Sequence, residues 1–169
     1  MILNSNNHKN ISSKKITFIK NFITNELYDM NKLTTFIDDY SLKVFSLAEH
    51  EEFYKQILQI RKINYFDSEA AVIQDFLQKT FKYKDHDENG VDIFFSLVAN
   101  TGSSHVDRED VFLLGSYGKT TYRIIPDAID YQITKGDLLY IPKGVRHRSF
   151  SNTPRAVISI GFFEWKKYL

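Results

Sequence analysis

"SSHVDREDVFLLGSYGKTTYRI", residues 103–124, is the stretch on which the fold turns. Its apolar run Val111–Leu114 and its β-branched and aromatic run Thr120–Ile124 read as strands, with the glycines of "GSYGKT" placed where a hairpin must reverse. Outward from it, short β-type runs recur between turn residues: VDIFFSLVA, DVFLLGS, KTTYRII, DYQIT, DLLYI, VRHRSF and AVISIGFFEW. "ITKGDLLYIPKG" adds another turn before a strand that stops at Pro142. Seven such runs point to a sandwich or barrel over residues 91–165.

The first half is different in character. Residues 1–15 are rich in Asn, Ser and Lys and are expected to form a flexible tail, His8 included. Ile16–Ile23 is a strand candidate. "NELYDMNKLTTFIDDY" spaces Leu27, Met30, Leu33 and Phe36–Ile37 along one helical face, and "SLKVFSL" reads as a short strand. "AEHEEFYKQILQIRK" stripes Phe53, Ile57 and Ile60, and "SEAAVIQDFLQKTF" follows Ser68 as N-cap, so about three helices are expected over the mixed part, 16–90. We read residues 16–169 as one domain, mainly β with these helices packed on it.

Composition narrows the function. Twenty-two basic against twenty-one acidic side chains give a formal charge of +1, without clustering, so neither a nucleic-acid footprint nor a membrane-binding basic segment is expected. Absence of cysteine removes disulfides, thiolate metal sites and cysteine nucleophiles together, so any metal must be held by nitrogen and oxygen. The polar start, "MILNSNNHKNISSKK", has no apolar signal core, and no run is long enough to span a bilayer. A cytoplasmic protein is the expectation.

Side chains at i and i+2 of a strand share a face roughly 6–7 Å apart, so His105 and Asp107 can point into one cavity and chelate one ion. Two ligands are not a site. "GDLLYIPKGVRH" supplies the third, His147, just after a Pro-x-Gly turn. Two imidazoles and a carboxylate on one face of an octahedral ion form the facial triad of non-haem Fe(II) oxygenases, with positions left for a chelating cosubstrate and dioxygen. His50, among glutamates, and His86, in a charged loop, are expected to be solvated. Arg108 and Asp110 alternate away from or past the cavity, as a rim or salt-bridged edge.

The order Gly136-x5-Pro142-x-Gly144-x2-His147 matches the second cupin motif, and with "SSHVDREDVFLLGSYGKTTYRI" and "ISIGFF" it resembles the cupin-like Jumonji C hydroxylases over roughly residues 95–163. That resemblance implies a double-stranded β-helix (cupin or jelly roll), Fe(II) held by His105, Asp107 and His147, and 2-oxoglutarate as cosubstrate. In one respect the chain departs from the family. Where such enzymes hold the far carboxylate of 2-oxoglutarate with Lys or Arg, the matching position is Thr120, and a hydroxyl cannot replace a buried cation. Lys119 and Arg123 flank it but point to the other face. Arg146, Arg148 and above all Arg155, just before the last core strand, are the other cations at hand. Tyr122 is the aromatic expected at the pocket, Ser159 could line it, and Asn100, Thr101 or Ser103 could meet the cosubstrate.

Three functions are compatible with these residues: an Fe(II)/2-oxoglutarate hydroxylase acting on a peptide, amino-acid-like or small natural-product substrate; a metal-dependent cupin dioxygenase, isomerase or lyase whose own substrate chelates the ion, which Thr120 favours; and a non-enzymatic ligand-binding cupin. Relatives acting on ribosomal proteins carry further regions after the catalytic core, whereas this sequence ends at "GFFEWKKYL", from which a smaller substrate is expected. Exposed edge strands are relieved in many jelly rolls by pairing, so a homodimer is one expected assembly.

Overall fold

A computed structural model describes residues 1–24, 27–40 and 57–164 of the chain, without the side chains of 36–40. Nine strands are described. β1 (Thr17–Ile19), β2 (Leu58–Ile60) and β3 (Gly90–Ser96) join β5 (Asp110–Ile124), β7 (Leu138–Ile141) and β9 (Arg155–Phe162) in the order β1-β7-β5-β9-β3-β2. A smaller antiparallel sheet contains β4 (Asn100–Thr101), β6 (Ile129–Thr134), β8 (His147–Ser151) and the second half of β5. Two antiparallel sheets sharing a strand roll into the expected double-stranded β-helix. No helix among the described residues is long and apolar enough to cross a membrane.

Period-2 alternation gives the larger sheet two buried faces. Phe112, Leu114, Ile158 and Ile160 point outward onto a core shared with helices α1 (Ser5–Ser12) and α3 (Ser68–Phe81), through Ile11, Ile73 and Leu77. Their neighbours Val111, Leu113 and Val157 point inward and meet Tyr122, Ile124 and Ile133 of the smaller sheet. Helix α2 (Met30–Tyr40) lies where the apolar spacing predicts it.

Several sequence expectations are corrected. "GSYGKT" is not a hairpin: β5 runs unbroken through it, its first half paired with β7 and β9 and its second with β6 and β8, with a register shift between Gly115 and Tyr117. The glycines serve a strand that bends from one sheet into the other. A Cβ on Gly115 would lie 2.0 Å from the Thr134 carbonyl oxygen, and Gly118 has φ +64° with a Cβ position 2.1 Å from that of Pro154. The chain reverses instead at 125–128, before β6.

Residues 1–15 are not a loose tail. Asn4 caps α1 by accepting from the Asn7 amide, and Ile11 is buried in the outer core, so packing overrides the weak helix propensity of the Asn/Ser-rich segment. The strand expected over Ile16–Ile23 shrinks to β1, since Asn21 turns at φ +52°. The helix expected to reach Lys62 gives way to β2, which pairs with β3. Asp67, not Ser68, caps α3 by accepting from the Ala70 amide at 2.9 Å, and it also accepts from the Tyr28 hydroxyl. The expected strand 41–47, the helix segment 48–56 with His50 and Phe53, and Trp165 lie outside the described residues.

Candidate metal centre

His105 and His147 face one another as an antiparallel pair, each amide donating to the other's carbonyl at 3.0 Å. The Pro142-Lys143-Gly144 turn aims His147 inward, with Gly144 at φ +82° and its amide donating to the Asp107 carbonyl at 3.1 Å. This backbone zipper brings the three predicted ligands together. Nε2 of His105 lies 3.6 Å from Asp107 Oδ1, Nε2 of His147 lies 3.4 Å from Asp107 Oδ2, and one ligand atom from each residue falls within 4.8 Å of the others. Donors about 2.1 Å from a common ion at right angles would be roughly 3 Å apart, so small side-chain rotations suffice for coordination.

The tautomers suit that role. Nδ1 of His105 lies 2.9 Å from the Ser103 carbonyl oxygen and Nδ1 of His147 lies 3.0 Å from that of Val145. Each Nδ1–H must therefore donate to a carbonyl, which leaves the Nε2 lone pair for a metal. Burial also pushes the His147 pKa below its ordinary value, against the opposing effects of the Val145 carbonyl and the Asp107 charge. The His147 side chain is 3% exposed and that of His105 49%, so the centre has one face in the barrel and one toward solvent.

Inward from the triad lies a cavity of about 730 Å³, open to solvent at the triad's side, whose walls include Asn100, Thr101, Ser103, Tyr122, Arg155 and Ser159 as well as the three ligands. Arg155, 3% exposed, donates from Nη2 to Asn100 Oδ1 at 3.1 Å and to Ser149 Oγ at 3.4 Å, and no carboxylate pairs with it among the described residues. Burial lowers its pKa, and burial raises that of the Tyr122 phenol. Thr120 is buried one alternation step from Tyr122 without lining this cavity, and its hydroxyl has no hydrogen-bond partner among the described residues. Of the other cations weighed from the sequence, Arg123 is paired with Asp130 on the surface, and Lys119, Arg146 and Arg148 do not line the cavity.

Asp110 turns away from the cavity into an ion pair with Lys14, as a salt-bridged edge, and His86 sits in its loop accepting from the Glu88 amide. Sequence reasoning missed Ser149, Asp92 and Arg61, which also line the cavity. Ser149 follows His147 by two and Asp92 interrupts an apolar strand, so alternation from a known ligand was the available signal.

Comparison with known proteins agrees with this fold. Residues 125–168 match the JmjC domain family model. The Escherichia coli ribosomal oxygenase YcfD superposes with TM-score 0.74 at 19% identity, covering 98% of this chain and 53% of that one. A second structure of YcfD, in complex with cobalt and 2-oxoglutarate, gives TM-score 0.65 at 18% identity over 90% of this chain and 49% of that one. A Caenorhabditis elegans protein named as a probable inactive acireductone dioxygenase 1 is 40% identical over 65 residues, 37% of this chain and 40% of that protein. The chain spans about half the length of the oxygenase structures it matches. The Jumonji C resemblance read from the two motifs is thus borne out, in a JmjC-domain match over residues 125–168 and in a cupin-type β-helix shared with a ribosomal oxygenase along nearly the whole chain.

Proposed function

We propose that this protein is a non-haem Fe(II)- and 2-oxoglutarate-dependent oxygenase that hydroxylates a peptide, an amino-acid-like molecule or a small natural product. One observation carries the reading: a two-histidine, one-carboxylate donor set and a buried guanidinium without a carboxylate partner among the described residues line the same cavity. His105, Asp107 and His147 would hold the ion, and a nitrogen and oxygen donor set of this kind suits Fe(II) among other divalent metals. Arg155 would take the far carboxylate of the cosubstrate in a charge-assisted pair, oriented by Asn100 and Ser149. Its position on β9 would compensate for the missing cation at position 120. Asn100, Tyr122 and Ser159 would complete the cosubstrate pocket.

Fe(II) with 2-oxoglutarate and dioxygen supplies the oxidising chemistry, in which the cosubstrate loses carbon dioxide to become succinate and a substrate C–H becomes C–OH. The chain's own part is to fix both imidazoles through their Nδ1–H bonds, keep His147 neutral by burial, and anchor an anion on the buried guanidinium at the cavity wall. The cobalt and 2-oxoglutarate complex of YcfD supports the same ligands here. Calorimetric titration of 2-oxoglutarate into the anaerobic metal-loaded protein, followed by succinate release across a substrate panel, tests the proposal. Absence of 2-oxoglutarate binding would defeat it.

A second reading, a metal-dependent cupin whose substrate itself chelates the ion, is favoured by Thr120. Metal binding without 2-oxoglutarate binding would select it.

A further inference from the structure

The three candidate ligands sit on two segments, 105–107 and 145–147, and three clamps hold these together. Two are backbone: the mutual His105–His147 pair and the Gly144 amide on the Asp107 carbonyl. The third is a side chain. Asp110, 0% exposed, accepts the Lys143 amide at 3.0 Å on Oδ1, within the turn that aims His147. Its Oδ2 accepts from the Tyr83 hydroxyl at 2.7 Å and from the Lys14 ammonium. Lys14 follows Ser13, the C-cap of α1, in a left-handed conformation, φ +56°, where its amide and that of Lys15 close the helix on Ile11 and Asn10. Where Lys14 lies is therefore set by where α1 docks. Lys14 also pairs with Glu164 at 2.6 Å, and Glu164 pairs with Lys143, so the same turn is held from two sides.

We infer that the amino-terminal helix belongs to the scaffold of the metal centre, with Lys14 and Asp110 as positioning residues, so that helix docking and metal binding stabilise one another; this rests on the metal-site reading above. A fully buried carboxylate facing only neutral groups, the phenols of Tyr83 and Tyr140 and the Lys143 amide, would be poorly compensated, and Lys14 supplies the balancing charge. If α1 undocks, that cation leaves. The carboxylate then draws in water, holds the Lys143 amide less well, and frees the turn that sets His147. Thermodynamic linkage makes the effect reciprocal: an ion that tightens the turn also favours docked α1.

The test is Co(II) affinity, read from its visible spectrum, for the wild-type chain, Lys14→Met and Lys14→Arg, with urea unfolding of each metal-free protein. Loss of a group that orients a metal ligand costs roughly 10–100-fold in affinity, so a weakening of at least about tenfold is expected for Lys14→Met and recovery for Lys14→Arg. Hydrogen exchange supplies a measurement that needs no variant: Co(II) should slow the amides of residues 5–12 in the wild-type chain. Wild-type affinity in Lys14→Met with only a lowered unfolding midpoint would reduce the pair to an ordinary salt bridge and overturn the inference, as would exchange in α1 indifferent to Co(II). A wild-type chain that binds no Co(II) would instead defeat the metal-site reading itself.

Discussion

Replacing Arg155 by methionine should separate cosubstrate binding from metal binding. Arg155 is 3% exposed, and its hydrogen-bond partners among the described residues, Asn100 and Ser149, are neutral. A buried cation balanced only by neutral acceptors costs folding free energy, so the metal-free variant should match the wild type in urea unfolding or exceed it by about 1 kcal/mol. Binding reverses the sign. Truncating one partner of a buried charge pair costs about 2–5 kcal/mol, and since the 3.4 Å contact to Ser149 holds the side chain only weakly we take the lower half of that range, about 3 kcal/mol. The expected result is a loss of roughly a hundredfold in 2-oxoglutarate affinity by calorimetry on the Co(II)-loaded proteins, with Co(II) affinity unchanged. Binding of 2-oxoglutarate by the variant within threefold of wild type would refute the role of Arg155, and a parallel fall in Co(II) affinity would show that the residue acts on the triad instead.

Removal of one metal ligand, Asp107→Ala or His147→Ala, should abolish the visible spectrum of bound Co(II) while circular dichroism retains the β-sheet signal. Gly115→Ala drives a Cβ to 2.0 Å from a backbone oxygen that cannot swing aside, and should cost about 3 kcal/mol in urea unfolding. Hydrogen bonds from Lys14 and Lys143 hold the Glu164 carboxyl below its ordinary value. The folded pKa is the lower one, so the stabilisation is present above the ordinary glutamate pKa of about 4.3 and is lost as pH falls through the folded value. The stability difference between wild type and Glu164→Gln should therefore shrink from pH 6 to pH 3, and a constant difference would contradict it.

The fold class and the three clustered candidate ligands were legible because both are written locally. Alternation along VDIFFS and AVISIGF sets which residues face inward, and His-x-Asp with Pro-x-Gly-x2-His sets ligand direction within a few bonds of backbone. Helix α1 was illegible for the opposite reason: eight residues of low propensity form a helix only because Ile11 finds a core built from strands many residues away. Gly115 and Gly118 misled because glycine marks any point of tight backbone approach, and a strand crossing between sheets needs it as much as a turn does.

The sequence by itself determined a β-rich barrel, three nitrogen and oxygen donors as candidate metal ligands and the absence of a cation at position 120. Tertiary structure alone decided that Arg155 shares the triad's cavity beside Asn100, 55 residues away, and that Lys14 reaches Asp110 across 96 residues. The physical reason is range. Side-chain direction follows from the dihedral angles of neighbouring residues, whereas a cation meets its partner only after sheets have rolled and helices docked, and no local pattern encodes that closure.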